Sequence, residues 1–184
     1  MTIARADRAA LLALVLAACG TADAPERTFA PALDPAGDAV DGMVVGHRLM
    51  RAGEYDLALD AFRRAGAERG LTPEVLSAMG TANIALGRLN QAETLLRRVT
   101  DSGAAWPEVW NNLGVVLMER GETAEAAQVF RRAYALDDGE SDAIRDNLRL
   151  ALEKVENSTY DPGQEQDYKL VRRGSGSYLI RRVP

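Results

Sequence analysis

The chain is predicted to be all-α, a solenoid of three helix-turn-helix units closed by one further helix and followed by a short β-hairpin tail. Three observations predict it. Beyond residue 38 apolar side chains recur at helical spacing, and no strand-like alternation appears before the tail. Glycines punctuate the same stretch at regular intervals. The pattern also returns in phase every 34 residues.

The elements before the repeats have their own logic. Arg5 and Arg8 precede an apolar stretch over residues 9–18, and small residues lead to Cys19, the order of a secretory signal. The stretch is about half the ~20 residues a spanning helix needs, so it is not expected to remain as a transmembrane anchor. Leu16-Ala17-Ala18-Cys19 resembles the bacterial lipobox. That resemblance implies cleavage before Cys19, diacylation of its thiol and acylation of the new amino terminus. Each buried methylene contributes ~0.8 kcal/mol, so three chains would hold the protein on a bilayer. The plainer alternative is an uncleaved apolar helix with an incidental thiol. Cys19 is the only cysteine, so no disulfide framework competes for it. By analogy with lipoproteins, Gly20 implies outer-membrane sorting, with the protein facing the periplasm of a two-membrane bacterium. Residues 19–38 hold Pro25, Pro31 and Pro35 with few large apolar side chains, and are read as a somewhat extended tether.

Residues 39–157 carry the repeats. The third unit (107–140) is the clearest: Trp110, Leu113, Gly114 and Leu117, then Gly121, then Ala126, Phe130 and Ala133. Moving back one period into the unit 73–106 gives Leu76, Met79, Gly80, Gly87, Ala92, Leu96 and Val99. The unit 39–72 gives Val45, Gly46, Leu49, Gly53, Ala58, Phe62 and Ala65. This resembles the tetratricopeptide repeat, a helix-turn-helix of 34 residues with small residues where its helices cross. Gly46, Gly80 and Gly114 are expected to admit the paired helix, and Gly53, Gly87 and Gly121 to end the first helix in a left-handed conformation. Pro73 and Pro107 open helices, with Glu74 and Glu108 in the first turn complementing the dipole. Two positions depart from the pattern. Gly42 stands where a large residue is expected, which reads as fraying of a terminal repeat. Asn83 is expected to face water, the other reading being a hydrogen bond to a partner.

Residues 141–157 form a capping helix with Ile144, Leu148, Ala151, Leu152 and Val155 on one face, which a solenoid needs to cover its last apolar surface. Asp137, Asp138, Glu140 and Asp142 crowd its start without EF-hand spacing, so capping and dipole neutralisation explain them better than calcium. In the tail, 158–184, Asp161-Pro162-Gly163 marks a turn. Two runs rich in strand formers, 168–173 and 177–182, then flank Gly174-Ser175-Gly176, which predicts a hairpin. Because an isolated hairpin is marginal in water, it must pack on the solenoid, pair with another protein or stay mobile.

Charge and chemistry narrow the function. The formal charge of −5 becomes about −6 once residues 1–18 are removed, yet five cations and no acid lie from Lys169 onward. Such a tail can meet an anionic lipid, a glycan or an acidic partner, or dock on its own acidic solenoid; nucleic acid is not expected of an exported acidic protein. His47 is the single histidine, so no two-histidine metal site can be assembled, and no Ser-His-Asp constellation is visible around it. No phosphate-binding glycine loop is present. Enzymatic activity, a metal, a cofactor and a small-molecule substrate are accordingly not expected.

What remains is binding. The resemblance implies a groove lined by the first helix of each unit, at Met43, His47, Met50, Arg51, Ser77, Thr81, Ile84, Asn111, Val115, Met118 and Glu119. The lining is mixed and mildly apolar, with adaptable methionines suited to a peptide or helix. For His47 a merely solvated or packed ring is the alternative. Chaperone-binding members of the family clamp a C-terminal carboxylate with lysines and asparagines, a pattern not reproduced here. A lipid anchor, a linker and three repeats resemble the tetratricopeptide lipoproteins of type IV and Flp (Tad) pilus machines. That resemblance implies a pilotin or scaffold whose partners are the outer-membrane secretin or pilus-assembly components. The alternatives are a regulator of cell-wall synthesis or outer-membrane protein assembly, and an accessory subunit of an envelope enzyme.

Overall fold

The computed structural model of the protein describes residues 40–158, 168–174 and 176–182. The expected signal, Cys19, the linker and the Asp161-Pro162-Gly163 turn lie outside the described residues.

The described residues form seven helices and one hairpin: α1 (Gly42–Ala52), α2 (Tyr55–Arg69), α3 (Pro73–Ala85), α4 (Leu89–Asp101), α5 (Pro107–Glu119), α6 (Thr123–Leu136), α7 (Asp142–Ser158), β1 (Tyr168–Arg173) and β2 (Ser177–Arg182). Each helix packs on the next in the chain, so the architecture is an all-α solenoid with a two-stranded tail. The boundaries have local causes. The Asp41 carboxylate accepts from Met43 N at 2.8 Å to start α1, and Thr72 Oγ1 accepts from Val75 N at 3.4 Å before Pro73 starts α3. Gly53 ends α1 at φ 82°, a left-handed conformation costly for any residue with a Cβ.

Helix pairing rests on glycine facing a large ring or branched side chain. A Cβ on Gly46 would lie 2.3 Å from Phe62, and one on Gly114 would lie 2.6 Å from Phe130. Gly80 meets Leu96 at 3.0 Å in the same way. Phe62, Leu96 and Phe130 are thereby fully buried, each contributing roughly 1.5–3 kcal/mol of apolar burial.

Two expectations are corrected. Gly42 is buried rather than frayed: a Cβ there would meet the Ala61 carbonyl at 2.6 Å, so only glycine lets the start of α1 seat against α2. Asn83 is buried rather than solvated, and its Nδ2 donates to the Met79 carbonyl at 2.8 Å, which removes the desolvation penalty of its amide.

At the other end, Ser141 Oγ accepts from Ile144 N at 3.4 Å and the Asp137 carboxylate accepts from Ser141 N at 2.6 Å, so part of the acidic cluster caps α7 as expected. The tail is an antiparallel hairpin in which Val171 pairs with Leu179 and Arg172 with Tyr178. Of the three fates open to it, the structure shows docking on the solenoid. Tyr178 and Ile180 enter the same buried cluster as Leu113, Val116 and Phe130.

Candidate functional site

The docked strand is held by a ladder of three buried asparagines. Asn111 and Asn112 project from α5 and Asn147 from α7. Asn112 donates to the Gly176 carbonyl and accepts from Tyr178 N at 3.2 Å. Two residues along, Asn147 donates to the Tyr178 carbonyl at 2.7 Å and accepts from Ile180 N at 2.8 Å. Each side-chain amide thus offers one donor and one acceptor at the two-residue spacing of an extended chain, as a neighbouring strand would. Asn111 braces the ladder by donating to the Tyr178 carbonyl at 2.9 Å and accepting from Asn147 Nδ2 at 2.9 Å. Beyond β2, the Tyr178 hydroxyl reaches α3 and donates to the Thr81 carbonyl at 3.3 Å.

Beside the hairpin turn the groove stays open as a cavity of about 600 Å³. Met43, Met50, Phe62, Ala78 and Trp106 give it apolar walls, Ser77 and Thr81 add hydroxyls, and Glu74 and Glu108 bring carboxylates. Arg173, Gly174, Gly176 and Ser177 of the hairpin close the far side. His47 lies edge-on to Phe62 with ring centroids 5.2 Å apart. Desolvation, with a smaller push from Arg51, lowers its pKa below the ordinary histidine value, so the ring is neutral at neutral pH. Hydrogen bonds from its own backbone N–H and from Thr72 hold the Glu74 carboxyl below the usual range, which keeps it charged.

The tetratricopeptide repeat family model matches residues 77–141. The fold is a tetratricopeptide-repeat solenoid. Among solved structures, the Sgt2 tetratricopeptide domain from Aspergillus fumigatus is similar at 21% identity and a TM-score of 0.63, over 68% of this chain and 84% of that one. The first such domain of human RPAP3 is similar at 19% identity and a TM-score of 0.57, over 64% of this chain and 94% of that one. A first tetratricopeptide domain of Spaghetti, solved bound to the HSP90 peptide SRMEEVD, gives 16% identity and a TM-score of 0.58 over 65% and 96%. At these identities the likeness is one of fold. No curated protein matches the sequence.

In this tetratricopeptide groove nine of the eleven expected lining residues fall into three groups. Met43, His47, Met50, Ser77 and Thr81 line the open cavity. Asn111 is covered by β2. Ile84, Val115 and Met118 are buried in the core cluster shared with Tyr178 and Ile180, and present no surface to a partner while β2 is docked. Of the remaining two, Arg51 is exposed beside His47. Glu119 ends α5, where desolvation, opposed by Lys154, raises its carboxyl pKa. Asn112, Asn147, Trp106 and Tyr178 were missing from the expected set. A signal for Asn147 existed: it lies three residues after Ile144 and four before Ala151, on the apolar stripe of α7, where an amide must have a buried partner.

Proposed function

We propose that the protein is a non-enzymatic interaction scaffold that takes an extended segment of a protein partner in the open half of its groove. The observation that carries this is the 600 Å³ cavity, with Met43, Met50 and Trp106 able to receive an apolar side chain and the Glu74 and Glu108 carboxylates beside them. Two carboxylates against the single Arg173 guanidinium on the lining favour an apolar segment with neutral or basic neighbours, unlike the acidic SRMEEVD peptide bound to Spaghetti. Neighbours of the same fold solved with peptides, including the second tetratricopeptide domain of human RPAP3 with an HSP70 peptide, support a peptide-binding role for the surface.

The scaffold acts at the outer membrane, tethered through lipid on Cys19, in the assembly of a Flp/Tad-type pilus or secretion system. The lipobox-like Leu16-Ala17-Ala18-Cys19 and the proline-containing linker support this setting. Crosslinking and affinity purification from membranes, comparing the wild-type chain with Cys19→Ala, tests it. Recovery of a secretin or pilus component with the anchored form alone is the expected result. Recovery of cell-wall synthases or barrel-assembly subunits would replace the pilus role, and an unchanged soluble complex from Cys19→Ala would remove the tether from the mechanism.

A further inference from the structure

We propose that the C-terminal hairpin is a tethered, exchangeable occupant of the groove. In this reading β2 fills a strand-binding site on α5 and α7, and a partner segment with an aromatic residue followed two positions later by a branched aliphatic one competes for it. The inference rests on the peptide-binding reading of the groove but not on any pilus or membrane role.

Four observations lead there. Apart from one side-chain contact, Asn111 Nδ2 to Ser177 Oγ at 3.2 Å, the asparagine ladder holds the hairpin through main-chain atoms of Gly176, Tyr178 and Ile180, so the polar part of the site accepts an extended chain of other sequence. Selectivity comes chiefly from Tyr178 and Ile180, which sink into the core cluster, while Leu179 between them is also buried. Docking also leaves a polar atom unpaid: Arg172, the cross-strand neighbour of Tyr178, has its Nη1 buried without a hydrogen-bond partner among the described residues, a cost that release to water would relieve. Finally, the filled and open halves are continuous. Asn112 Nδ2, which holds Gly176, also lies 3.4 Å from Thr81 Oγ1, and both Thr81 and Gly176 line the open cavity. A segment entering the cavity therefore meets the hairpin turn first and can advance along the ladder as β2 withdraws.

A two-stranded ribbon has little stability of its own, so the docked state persists only through the groove contacts. Occupancy in cis lowers the apparent affinity for an outside strand by the fraction of molecules with the site empty.

The test uses the full chain and a fluorescent peptide spanning residues 176–181. The wild-type protein should bind it weakly, and Tyr178→Ala should bind it about tenfold or more tighter, because the competing strand is weakened. Adding Asn147→Leu to Tyr178→Ala should abolish that gain while the helical circular dichroism stays intact. Equal binding to wild type and Tyr178→Ala, or none to either, would overturn the proposal. Hydrogen exchange on the unaltered protein gives an independent answer. The amides of Tyr178 and Ile180 should exchange by local opening, faster than those of Leu113 and Val116 on α5. Exchange of all four only on global unfolding would make the hairpin a permanent cap and end the idea, whatever the variants do.

Discussion

Asn147 donates to the carbonyl of Tyr178 at 2.7 Å across a separation of 31 residues, and its other amide atom holds the next inward-facing position of the strand. Both groups are buried, so in the docked state neither can lose the other without a desolvation cost. Asn147→Leu strands the Ile180 amide in an apolar setting while the Tyr178 carbonyl keeps only Asn111. The expected loss is about 2 kcal/mol, the cost of an orphaned buried donor, with faster tryptic cleavage at Arg172 and Arg173. Denaturant melts and limited proteolysis measure both, and wild-type values in both would mean that the ladder contributes little.

The glycine notches should rank by the rigidity of what faces them. Gly46→Ala and Gly114→Ala drive a methyl into the rings of Phe62 and Phe130 at 2.3 and 2.6 Å, and should cost about 1–3 kcal/mol. Gly80→Ala meets the more adaptable Leu96 at 3.0 Å and should cost less. Thermal melting of the three variants gives the order, and a Gly80 variant as damaged as the other two would contradict it.

Tyr178 links docking to high pH. Burial raises its phenol from an ordinary 10.0 to about 12, with the nearby Arg172 charge opposing the rise. A raised pKa means that the docked form holds the proton more tightly. Its contribution is thus complete below pH 10 and is lost as pH climbs toward 12. Absorbance titration of tyrosinate should show a late-ionising group that is absent from Tyr178→Phe. A wild-type curve identical to that of the variant would place Tyr178 in water.

His47 acts in the opposite sense and at the other end of the scale. Desolvation and Arg51 lower its pKa, so the folded chain binds its proton less readily than the unfolded chain does. The contribution of neutral His47 is present above the ordinary value of 6.5 and is lost as pH falls through the lowered folded value. Stability should therefore decline more steeply in wild type than in His47→Gln as pH falls from 6.5 to that lowered value, with no further loss from this residue below it. Parallel pH profiles for the two proteins, or an NMR titration of the ring with an unshifted midpoint, would refute this.

The repeats were legible because their rules are local. Gly46 against Phe62, or Pro73 at the start of α3, involves residues within one unit, and the same solution recurs three times. The hairpin was legible too, from strand formers around glycine. Its docking was not, since it depends on Thr81, Asn112, Asn147 and Tyr178 meeting across separations of up to 97 residues. The expected groove lining assumes a solenoid without a tail and so includes Ile84, Val115 and Met118, which lie in the core cluster shared with Tyr178 and Ile180. Gly42 and Asn83 depart from expectation for a related reason: their environments belong to the neighbouring helix and to the preceding turn.

Tyr178 also changes the order in which the molecule comes apart. A repeat array held only by neighbours can unravel from either end, one unit at a time. Here a single residue joins α3 through Thr81, α5 through Asn112 and α7 through Asn147, whereas among the described residues no hydrogen bond of the hairpin reaches α1 or α2. While β2 is docked, tension or denaturant should peel away the first helical pair alone, and the remaining five helices lose their common tie only when the strand withdraws.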